Sequence, residues 1–596
     1  MAFMMEKRRL ELRDQTKEMF FHGWDNYLLH AFPYDELNPI KCTGRGSDKA
    51  NPDNINVNDV LGDYSLTLVD TLDTLAILGP KEEFEKAVNL VLEHVSFDQD
   101  NKVQVFELNI RALGGLLSAH ILATDPSLGY SLKNYKGGLL RLAIDLADRL
   151  VPAFQATNTG IPYPRVNLRH GVPPTETVET CTAGAGSLIL EFGVLSRLTG
   201  DPRYETLAKR ALMAIWNRRS KLNLLGNVIN IQTGQWIHTA SSTGAGIDSF
   251  FEYLLKSYVL FGEHEYLDMF EAAYDGLMRH VRDSTGYLYR NVHMSSGTLM
   301  STWIDSLSSF MPGMQVLYGD LDAAIKGHLI HYNIWRRYHA LPERFDFYQK
   351  VVDIGFYPLR PEFVESTYYL YQATKDPFYL HVGEMIVQDL NNRTRLPCGF
   401  ATVGDVRTGR LEDRMESFLL SETLKYLYLL FDTDHPINKV DSNFVFTTEG
   451  HILPLSKQYL SPTYPEEEDP LDAASSTCSP YRPHTNYSTS YLLQPQSFDL
   501  TSVPYQPQTD YASELVGNAE SSIRVAVPNG YCEAVNLRTH LYELTFGEDT
   551  RSKDRLRSPR LVELVGGFLT RSLSGLKMEL VKRPKSEGGG YLITRG

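Results

Sequence analysis

Two charged residues stand four positions apart in an otherwise apolar stretch of the chain. Residues 103–120 read VQVFELNIRALGGLLSAH, and Glu107, Arg111 and the small residues that follow them share one stripe at helical spacing. An unpaired buried carboxylate is costly, so such a stripe needs a wet cavity or a partner charge. We expect Glu107 and Arg111 to line an internal cavity. A purely structural Glu–Arg ion pair is the alternative that this segment leaves open.

Further acids occur in similar surroundings along the chain. Asp248 lies in GAGIDSFFEYLLKSY, where its polar stripe could also be an ordinary solvated face. Glu362 and Glu365 lie in RPEFVES, and their spacing places both on one face of a helix that Pro361 can begin. Acids in a first turn are also common complements of the helix dipole. Glu343 follows a proline in HALPERFDF and could be a loop residue. Each acid taken alone is therefore ambiguous.

Two segments near residue 430 carry a different chemistry. Glu422 stands four residues after Phe418 on the apolar segment MESFLLSETLKYLYLLF, a spacing that suits a sugar stacked on the ring, although core packing of Phe418 fits equally. The run FVFTTEGH at 444–451 offers hydroxyl and carboxylate oxygens, which calcium prefers, but it also reads as a plain strand and turn.

Other reaction chemistries lack their motifs. The sequence contains no Gly-rich phosphate loop, HExxH, GxSxG or CxxC. What remains is a set of acids on separate segments together with many aromatic residues. Two carboxylates across a bond, with rings that stack sugar, are what acid–base hydrolysis of a polyol requires.

The elements that must position these acids are helices. Residues 10–435 show helical periodicity with a recurring junction, seen in LATDPSLGY, LTGDPRYETLA and ATKDPFYLHV: an apolar helix end, a Gly/Asp turn and often a proline that can begin the next helix. The pattern predicts an all-α fold of helical hairpins, either an open solenoid or a closed toroid. In a toroid the inner helices are covered yet border a central cavity, which would explain the stripe at Glu107.

Composition changes along the chain predict its organisation. We expect a short helical lead at 1–19, a helical-repeat domain at 20–455, a low-complexity linker rich in Pro, Ser, Tyr and Gln at 456–520, and a small region of unknown fold at 521–596.

The bulk composition restricts partners and compartment. A net charge of −15 and a pI near 5.6 argue against a general nucleic-acid binder, and no apolar run is long enough to predict a membrane span. Neither a secretory signal at MAFMMEKRRLELRDQ nor a retention signal at YLITRG is visible, which taken literally suggests the cytosol unless the true start lies upstream. The sequons at Asn392 and Asn486 hint weakly at a secretory history.

Together the segments WDNYLLHAFPYDELNPI, VDTLDTLAILG, FELNIRALGGLLSAH, TCTAGAGSLILEF, LRPEFVES, MESFLLSETLKYLYLLF and FTTEGH closely resemble glycoside hydrolase family 47. These are α-1,2-mannosidases that act on high-mannose N-glycans, and the resemblance covers about 20–455. DELNPIKCTGRG and GAGIDSFFEYLLKSY look most like the ER degradation-enhancing α-mannosidase-like branch. The resemblance implies an (α/α)7 barrel, a calcium ion at its base, inversion at the anomeric carbon, and residence in the ER lumen.

The resemblance also implies roles for individual residues. Glu107 becomes the first choice for the proton-donating acid, with Asp248 as its partner, Glu343 as a further acid and Glu362 as the base that activates water. Thr448 would bind calcium through its carbonyl and hydroxyl oxygens. The other implied contacts form two groups. The residues expected to support calcium-bound waters are Glu365, Glu422 and Glu449, and those expected to contact sugar are Arg111, Arg360, Phe418, Glu365 and Glu422.

The sequence departs from the processing mannosidases at two sugar-contacting positions. Gly246 stands where those enzymes carry an arginine, and Ser306 stands where they carry a histidine. Both changes place the specificity for glycan branches and the catalytic rate in question, and neither removes a candidate catalytic acid. They leave open an alternative function, a mannose-binding lectin or chaperone-like receptor on the same barrel. An open helical-repeat scaffold, with the acids facing solvent, is a third hypothesis.

In this branch the cysteines of the NPIxC and CGxAT segments pair, which here implies a Cys42–Cys398 disulfide. Such a bond requires an oxidising compartment, so we suppose that the sequence begins downstream of a signal. The expected partners are N-glycans of misfolded glycoproteins. A protein disulfide isomerase-type oxidoreductase could pair with Cys478 or Cys532 in the tail.

Overall fold

The computed structural model describes residues 4–439, 444–454 and 506–518, together with the backbone of five later strands. The chain divides into two compact units, Met1–Ile523 and Arg524–Gly596. In the second unit Leu541–Thr545 pairs antiparallel with Lys577–Lys582, which pairs with Tyr591–Arg595, and Leu561–Leu564 pairs with Gly567–Thr570. Within its described residues this small unit is therefore made of antiparallel strands.

Seven helices of the first unit form a closed inner ring, in which each helix packs against the next and the last packs against the first. The inner helices are α2 (Leu72–Leu78), α4 (Val105–Thr124), α6 (Ile189–Thr199), α8 (Asp248–Phe261), α10 (Met311–Tyr318), α12 (Glu362–Thr374) and α14 (Leu424–Phe431).

Each inner helix packs against one outer helix. The outer helices are α1 (Glu6–His30), α3 (Lys81–His94), α5 (Gly138–Leu150), α7 (Arg203–Trp216), α9 (His264–Gly276), α11 (Leu321–Tyr338) and α13 (Pro377–Arg393). Six of the pairs are hairpins of consecutive helices, whereas α1 pairs with α14 and so closes the ring between the two ends of the barrel domain. The fold is the all-α, (α/α)7 barrel of helical hairpins that the sequence predicted. The expected start of the barrel at residue 20 falls inside α1, which is continuous.

The hairpin junctions follow the turn chemistry read from the sequence. Gly200 and Gly262 end α6 and α8 in the left-handed conformation, with φ of +75° and +74°. Asp376 accepts the N–H of Phe378 at 2.8 Å, and Pro377 takes the first helical position of α13. Because the hairpins alternate in direction, the inner helices all run the same way and their N-termini share one end of the barrel. We call this end the acid rim.

Short helical turns and two- to four-residue strands connect the helices at the ends of the barrel. The turns are Ile55–Asn58, Leu66–Asp70, Pro126–Leu128, Pro152–Gln155, Thr182–Gly186, Ser306–Phe310 and Pro436–Lys439, and π-type turns occur at Leu108–Leu113, Leu277–Val281 and Leu419–Thr423. The antiparallel strand groups are Glu36–Asn38 with Thr43–Arg45; Lys102–Gln104 with Arg165–Asn167; Glu179–Cys181, Val228–Asn230 and Trp236–His238; Ala240–Ser241, Asn291–His293 and Leu299–Ser301; Trp303–Asp305, Arg344–Asp346 and Val351–Ile354; Arg395–Leu396 with Gly399–Phe400; and Thr402–Asp405 with Arg410–Glu412.

One further hairpin, Phe444–Phe446 with Ile452–Pro454, packs against the inner helices α4 and α8. Its turn reaches the two glycines of α4, because a Cβ on Gly114 would lie 2.9 Å from His451 and one on Gly115 would lie 3.3 Å from it. The lower half of the stripe that begins at Glu107 is therefore covered by this hairpin, and the small residues make room for it.

Helix α4 is, among the described residues, the one helix long and apolar enough to cross a membrane. The protein buries 89% of its most apolar window, as expected for a core helix.

A disulfide joins Cys42 to Cys398, as the resemblance implied. Part of the expected linker is helical: α15 (Gln506–Leu515) packs against α11, with Tyr511 5.1 Å from Tyr287 between ring centroids. The sequence analysis missed this helix because its composition is mostly polar. A few apolar residues, such as Ala512, are enough for it to pack on the barrel. Residues 455–505 and the cysteines at 478 and 532 lie outside the described part of the chain.

Candidate active site

The acids predicted from the sequence meet at the acid rim. Asp248 is the first residue of α8, Glu362 is the first residue of α12, and Glu107 lies in the first turn of α4. All three remain partly exposed, although the helices behind them are buried. The parallel inner helices thus bring acids that are 255 positions apart in sequence, Glu107 and Glu362, to one end of one barrel.

Glu107 and Arg111 form the ion pair that this segment left open as the alternative, and the pair lies at the acid rim. The Arg111 Nε donates to Glu107 Oε2 at 2.8 Å, and the Glu107 side chain is 21% exposed at the rim. Arg111 also donates to Ser417 Oγ at 3.1 Å and lies 3.2 Å from Glu449 Oε1. The residues between them form a π-type turn, Leu108–Leu113. The ion pair is therefore part of the site itself.

A second ion-pair group lies on the other side of the rim. Arg360 donates to Glu343 twice, from Nε to Oε1 and from Nη2 to Oε2, the second at 3.2 Å. Arg360 Nη1 lies 3.9 Å from Glu362 Oε1. Phe418 lies between the two cations: its ring centroid is 5.3 Å from the Arg111 guanidinium carbon and 5.9 Å from that of Arg360. Strand Arg344–Asp346 follows Glu343 directly, so Glu343 is held at the end of a strand.

Asp248 and Glu362 have raised pKa values. Burial raises the pKa of Asp248 well above its ordinary value, and the charges of Asp305 and Glu362 raise it further. Burial also raises the pKa of Glu362 to about 7, against the opposing effect of Arg360. Glu107 has an arginine partner, whereas no cation lies within ion-pair distance of Asp248 in the described part of the chain. Asp248 is thus the acid best placed to keep its proton.

A deeper layer of charge lies one helical turn below the rim. It comprises Glu252 and Lys256 of α8, Glu365 of α12, Glu422 beside α14, and Glu449 in the turn of the inserted hairpin. Lys256 pairs with Glu252 and lies 3.6 Å from Glu365. Burial raises the pKa of Glu365 and of Glu449 to about 8, and raises that of Glu422 well above its ordinary value. Neighbouring acids add to each of these shifts.

A third layer supports the hairpin turn from below. Lys425 donates to Asp73 at 3.0 Å and to the Gly450 carbonyl at 2.7 Å, while His451 lies 3.1 Å from Asp70 and 3.3 Å from Asp73. Burial opposes these charges, but Asp73 and Asp70 raise the pKa of His451 to about 9. The turn that carries Thr448 is therefore anchored by buried ion pairs.

The residues around this turn fit a hard divalent cation. Glu365, Glu422 and Glu449 are buried acids, and Glu365 and Glu449 lie close enough to Glu422 to raise its pKa. Glu422 packs on the turn, since a Cβ at Gly450 would lie 3.2 Å from its Oε2. Within the described residues no three acid, His or Cys side chains converge at direct ligand distance. A cation here would thus take oxygens of Thr448 and water, with the acids one layer further out.

Several residues of the site escaped the sequence reasoning. Glu252 and Lys256 read as a solvated stripe, yet Lys256 is buried with Glu252. Buried Glu191 of α6 accepts from Asn109 at 2.8 Å and from Tyr253 at 2.6 Å, which joins three inner helices. Asp305 ends a short strand among the rim acids. The four-residue spacing of Glu252 and Lys256 on α8 was the one sequence signal that could have identified this pair.

The two departures from the processing mannosidases have structural correlates. Gly246 has a φ of +86°, and a Cβ there would lie 2.7 Å from the Asn227 side chain. Ser306 is 2% exposed, and its hydroxyl has no hydrogen-bond partner in the described part of the protein. Asn227 therefore occupies the space at position 246, where a side chain would need both a rare backbone conformation and a displaced neighbour.

A closed double ring of seven helix pairs, with carboxylates gathered at one end, defines the class of (α/α)7 barrel proteins with a candidate acid–base site. The chain belongs to glycosyl hydrolase family 47, whose family profile matches residues 19–455.

The relatives carry mannosidase names. ER degradation-enhancing alpha-mannosidase-like protein 1 of Schizosaccharomyces pombe is 51% identical over 451 residues, which cover 76% of this chain and 57% of that protein. Alpha-mannosidase I MNS5 of Arabidopsis thaliana is 48% identical over 454 residues, covering 75% and 78%. The solved alpha-1,2-mannosidase from Trichoderma reesei matches with a TM-score of 0.67 and 27% identity, covering 75% of this chain and 99% of that one. The chain thus spans little more than half the length of the S. pombe relative.

Proposed function

We propose that this protein is a calcium-dependent, inverting α-1,2-mannosidase that trims high-mannose N-glycans. The observation that carries the proposal is the acid rim, where Asp248 has a strongly raised pKa and no cationic partner in the described residues, while Glu362 has a pKa of about 7. Two carboxyl groups with different environments are what an acid and a base need. Membership of family 47 and the names of the relatives support the substrate class.

In the proposed reaction Asp248 supplies the proton to the leaving oxygen, and Glu362 takes a proton from the attacking water. Glu107, which the sequence made the first choice for the acid, is bound to Arg111 and instead orients the sugar or a water beside Asp248. Inversion requires room for a water between base and sugar, an acid–base separation of roughly 6.5–9.5 Å. Glu343 holds Arg360 beside Glu362, and Phe418 offers its ring to the sugar.

Thr448, with Glu365, Glu422 and Glu449 behind it, would hold the calcium ion. A bound calcium ion would supply positive charge that orders water and sugar hydroxyls. The buried acids of this layer support the proposal because burial and neighbouring acids raise their pKa values, and a cation nearby would stabilise their charged forms. Lys256 and Arg111 already supply part of that positive charge.

For the cellular role, we propose trimming of N-glycans on misfolded glycoproteins in the ER lumen, which marks them for degradation. The printed names of the relatives support this role, and the Cys42–Cys398 disulfide supports an oxidising compartment. An oxidoreductase of the protein disulfide isomerase type is the proposed partner.

The alternative is a mannose-binding lectin or chaperone-like receptor on the same barrel. Gly246 and Ser306 leave it open, because they lack the sugar-contacting arginine and histidine of the processing mannosidases and so put the catalytic rate in question. The acid set favours the enzyme, since a lectin has no need of carboxyls held at different protonation states.

Release of mannose decides between the two functions. The full chain is incubated with Man9 glycan, and with an unfolded glycoprotein plus oxidoreductase, in calcium or in chelator. We expect free mannose in calcium and none in chelator. The rate of release should fall at least about 100-fold in Glu362→Gln and should not fall in Glu82→Gln, an exposed control on α3. Glycan binding without any mannose release would favour the lectin.

A further inference from the structure

Asp305 occupies a junction between two parts of the acid rim. It is the last residue of strand Trp303–Asp305 and precedes the turn Ser306–Phe310. Its Oδ1 accepts the N–H of Ser308 at 3.1 Å, and its Oδ2 accepts the N–H of Ala245 at 3.2 Å. Each carboxylate oxygen therefore holds a different chain segment.

The second segment leads directly to Asp248. The Gly244 carbonyl accepts the N–H of Asp248 at 3.0 Å and that of Ile247 at 3.1 Å, and so begins α8. A Cβ on Gly244 would lie 2.1 Å from Asp305 Oδ2, so only glycine permits this approach. The Asp305 carboxylate thus lies against the turn that sets where α8, and with it Asp248, starts.

Charged groups from every neighbouring element face Asp305. The charges of Glu343 and Arg360 act on the Asp305 carboxyl, and the charge of Asp305 acts in turn on Asp248 of α8 and Glu362 of α12. Arg344 lies opposite Asp305 in the strand ladder. The Glu343 carbonyl also accepts the N–H of Ser306 at 3.0 Å. Asp305 is 9% exposed and has no direct ion pair in the described residues. Its charge is therefore offset mainly by two backbone amides and by Arg360.

We propose that Asp305 is a positioning residue of the reaction, whose carboxylate clamps the turn 244–248 and places a negative charge beside the Asp248 carboxyl. The catalytic consequence rests on the proposed function, whereas the clamp itself does not. Burial is the main cause of the raised pKa of Asp248, and Asp305 is first among the neighbouring charges that raise it further.

The first test is the pH dependence of mannose release by the full-length Asp305→Asn variant. Asp248 must be protonated to act as the acid, and removing a nearby negative charge favours its ionisation. The basic limb of the kcat/KM profile should therefore move to lower pH, by about one unit, and kcat should fall about 10- to 100-fold with little change in KM. Asp346→Asn is the matched control, since Asp346 also accepts two backbone amides but in a turn outside the acids.

The second test is hydrogen exchange and needs no turnover. In Asp305→Asn and Asp305→Ala the amides of Ala245 and Ser308 should exchange faster, while those in the middle of α8 keep their wild-type rates. Unchanged exchange at both amides overturns the clamp, and an unshifted basic limb overturns the electrostatic role. A wild type that releases no mannose overturns the proposed function alone, because exchange still decides the clamp.

Discussion

At the scale of single residues, the same side-chain type takes different roles because its surroundings differ. Glu107 is paired with an arginine, Asp248 is buried without one, and Glu365 shares a lysine with Glu252. Burial near other acids favours the neutral form of a carboxyl, and a nearby cation favours the charged form. The roles of the acids thus follow from their partners more than from their types.

Calcium binding should release protons at pH 7. Glu365 and Glu449 have pKa values of about 8 in the calcium-free protein, so each is mostly protonated at pH 7. A divalent cation nearby favours the charged carboxylates and lowers both pKa values, which sends protons to the buffer. Isothermal titration calorimetry in buffers of different ionisation enthalpy measures the number of protons released. Glu365→Gln should reduce it, and binding without proton release would contradict the charge assignment.

Phe418→Leu should raise KM for the glycan about tenfold, because an aliphatic side chain cannot stack against a sugar as a ring does. The ring lies between Arg111 and Arg360, which hold it at the rim. Phe363→Leu, on the buried face of α12, is the control and should lower the melting temperature with KM unchanged. If Phe418→Leu behaves like this control, Phe418 is a packing residue only.

At the scale of elements, α4 explains why a charged stripe occurs on an apolar helix. Its first turn faces the acid rim, its π-type turn carries Arg111 inward, and its glycines lie against the inserted hairpin. Along its length, α4 therefore contacts the candidate site, then the turn that carries Thr448, and then the neighbouring inner helices. The apolar remainder packs against its neighbours in the ring.

Gly115→Ala should destabilise the barrel by about 1–3 kcal/mol, since the added methyl would lie 2.7 Å from the Val69 carbonyl and 3.3 Å from His451. Urea unfolding followed by circular dichroism measures the change. Gly327→Ala on α11 is the matched control, because its nearest neighbour would be at 3.4 Å, and it should be neutral or stabilising. Equal effects of the two substitutions would argue against close packing of α4 on the turn Leu66–Asp70 and on the hairpin.

At the scale of the whole molecule, two features join the chain ends of the barrel domain. Helix α1 packs against α14, and the Cys42–Cys398 disulfide links positions 356 residues apart. These contacts add to the direct packing of α14 against α2, which closes the inner ring. The rim acids come from α4, α8 and α12 and from the segments that carry Asp305 and Glu343, so opening the ring would separate them.

Cys42→Ser should lower the free energy of unfolding by about 2–5 kcal/mol, since the disulfide restricts a very long loop in the unfolded chain. Denaturant unfolding with and without reductant measures this, and a non-reducing peptide map verifies the bond. Cys181→Ser, at a free and partly buried cysteine, is the control: it keeps the Cys42–Cys398 bond and should lose stability in reductant as the wild type does. Insensitivity of the wild type to reductant would rule out a stabilising role for the bond.

The sequence by itself determined the helical hairpins, and through its family resemblance it predicted the seven-membered barrel, the Cys42–Cys398 disulfide and the candidate acids. Periodicity and turn residues are local, and the motifs at 107, 248 and 362 are contiguous, so both can be read along the chain. Only the tertiary structure decided which acids have a lysine or arginine partner. It also located Asp305, Glu191 and Lys256 in the site and α15 on the barrel surface. These depend on contacts between residues up to hundreds of positions apart, and burial and charge neighbours, which set protonation, exist only once the ring has closed.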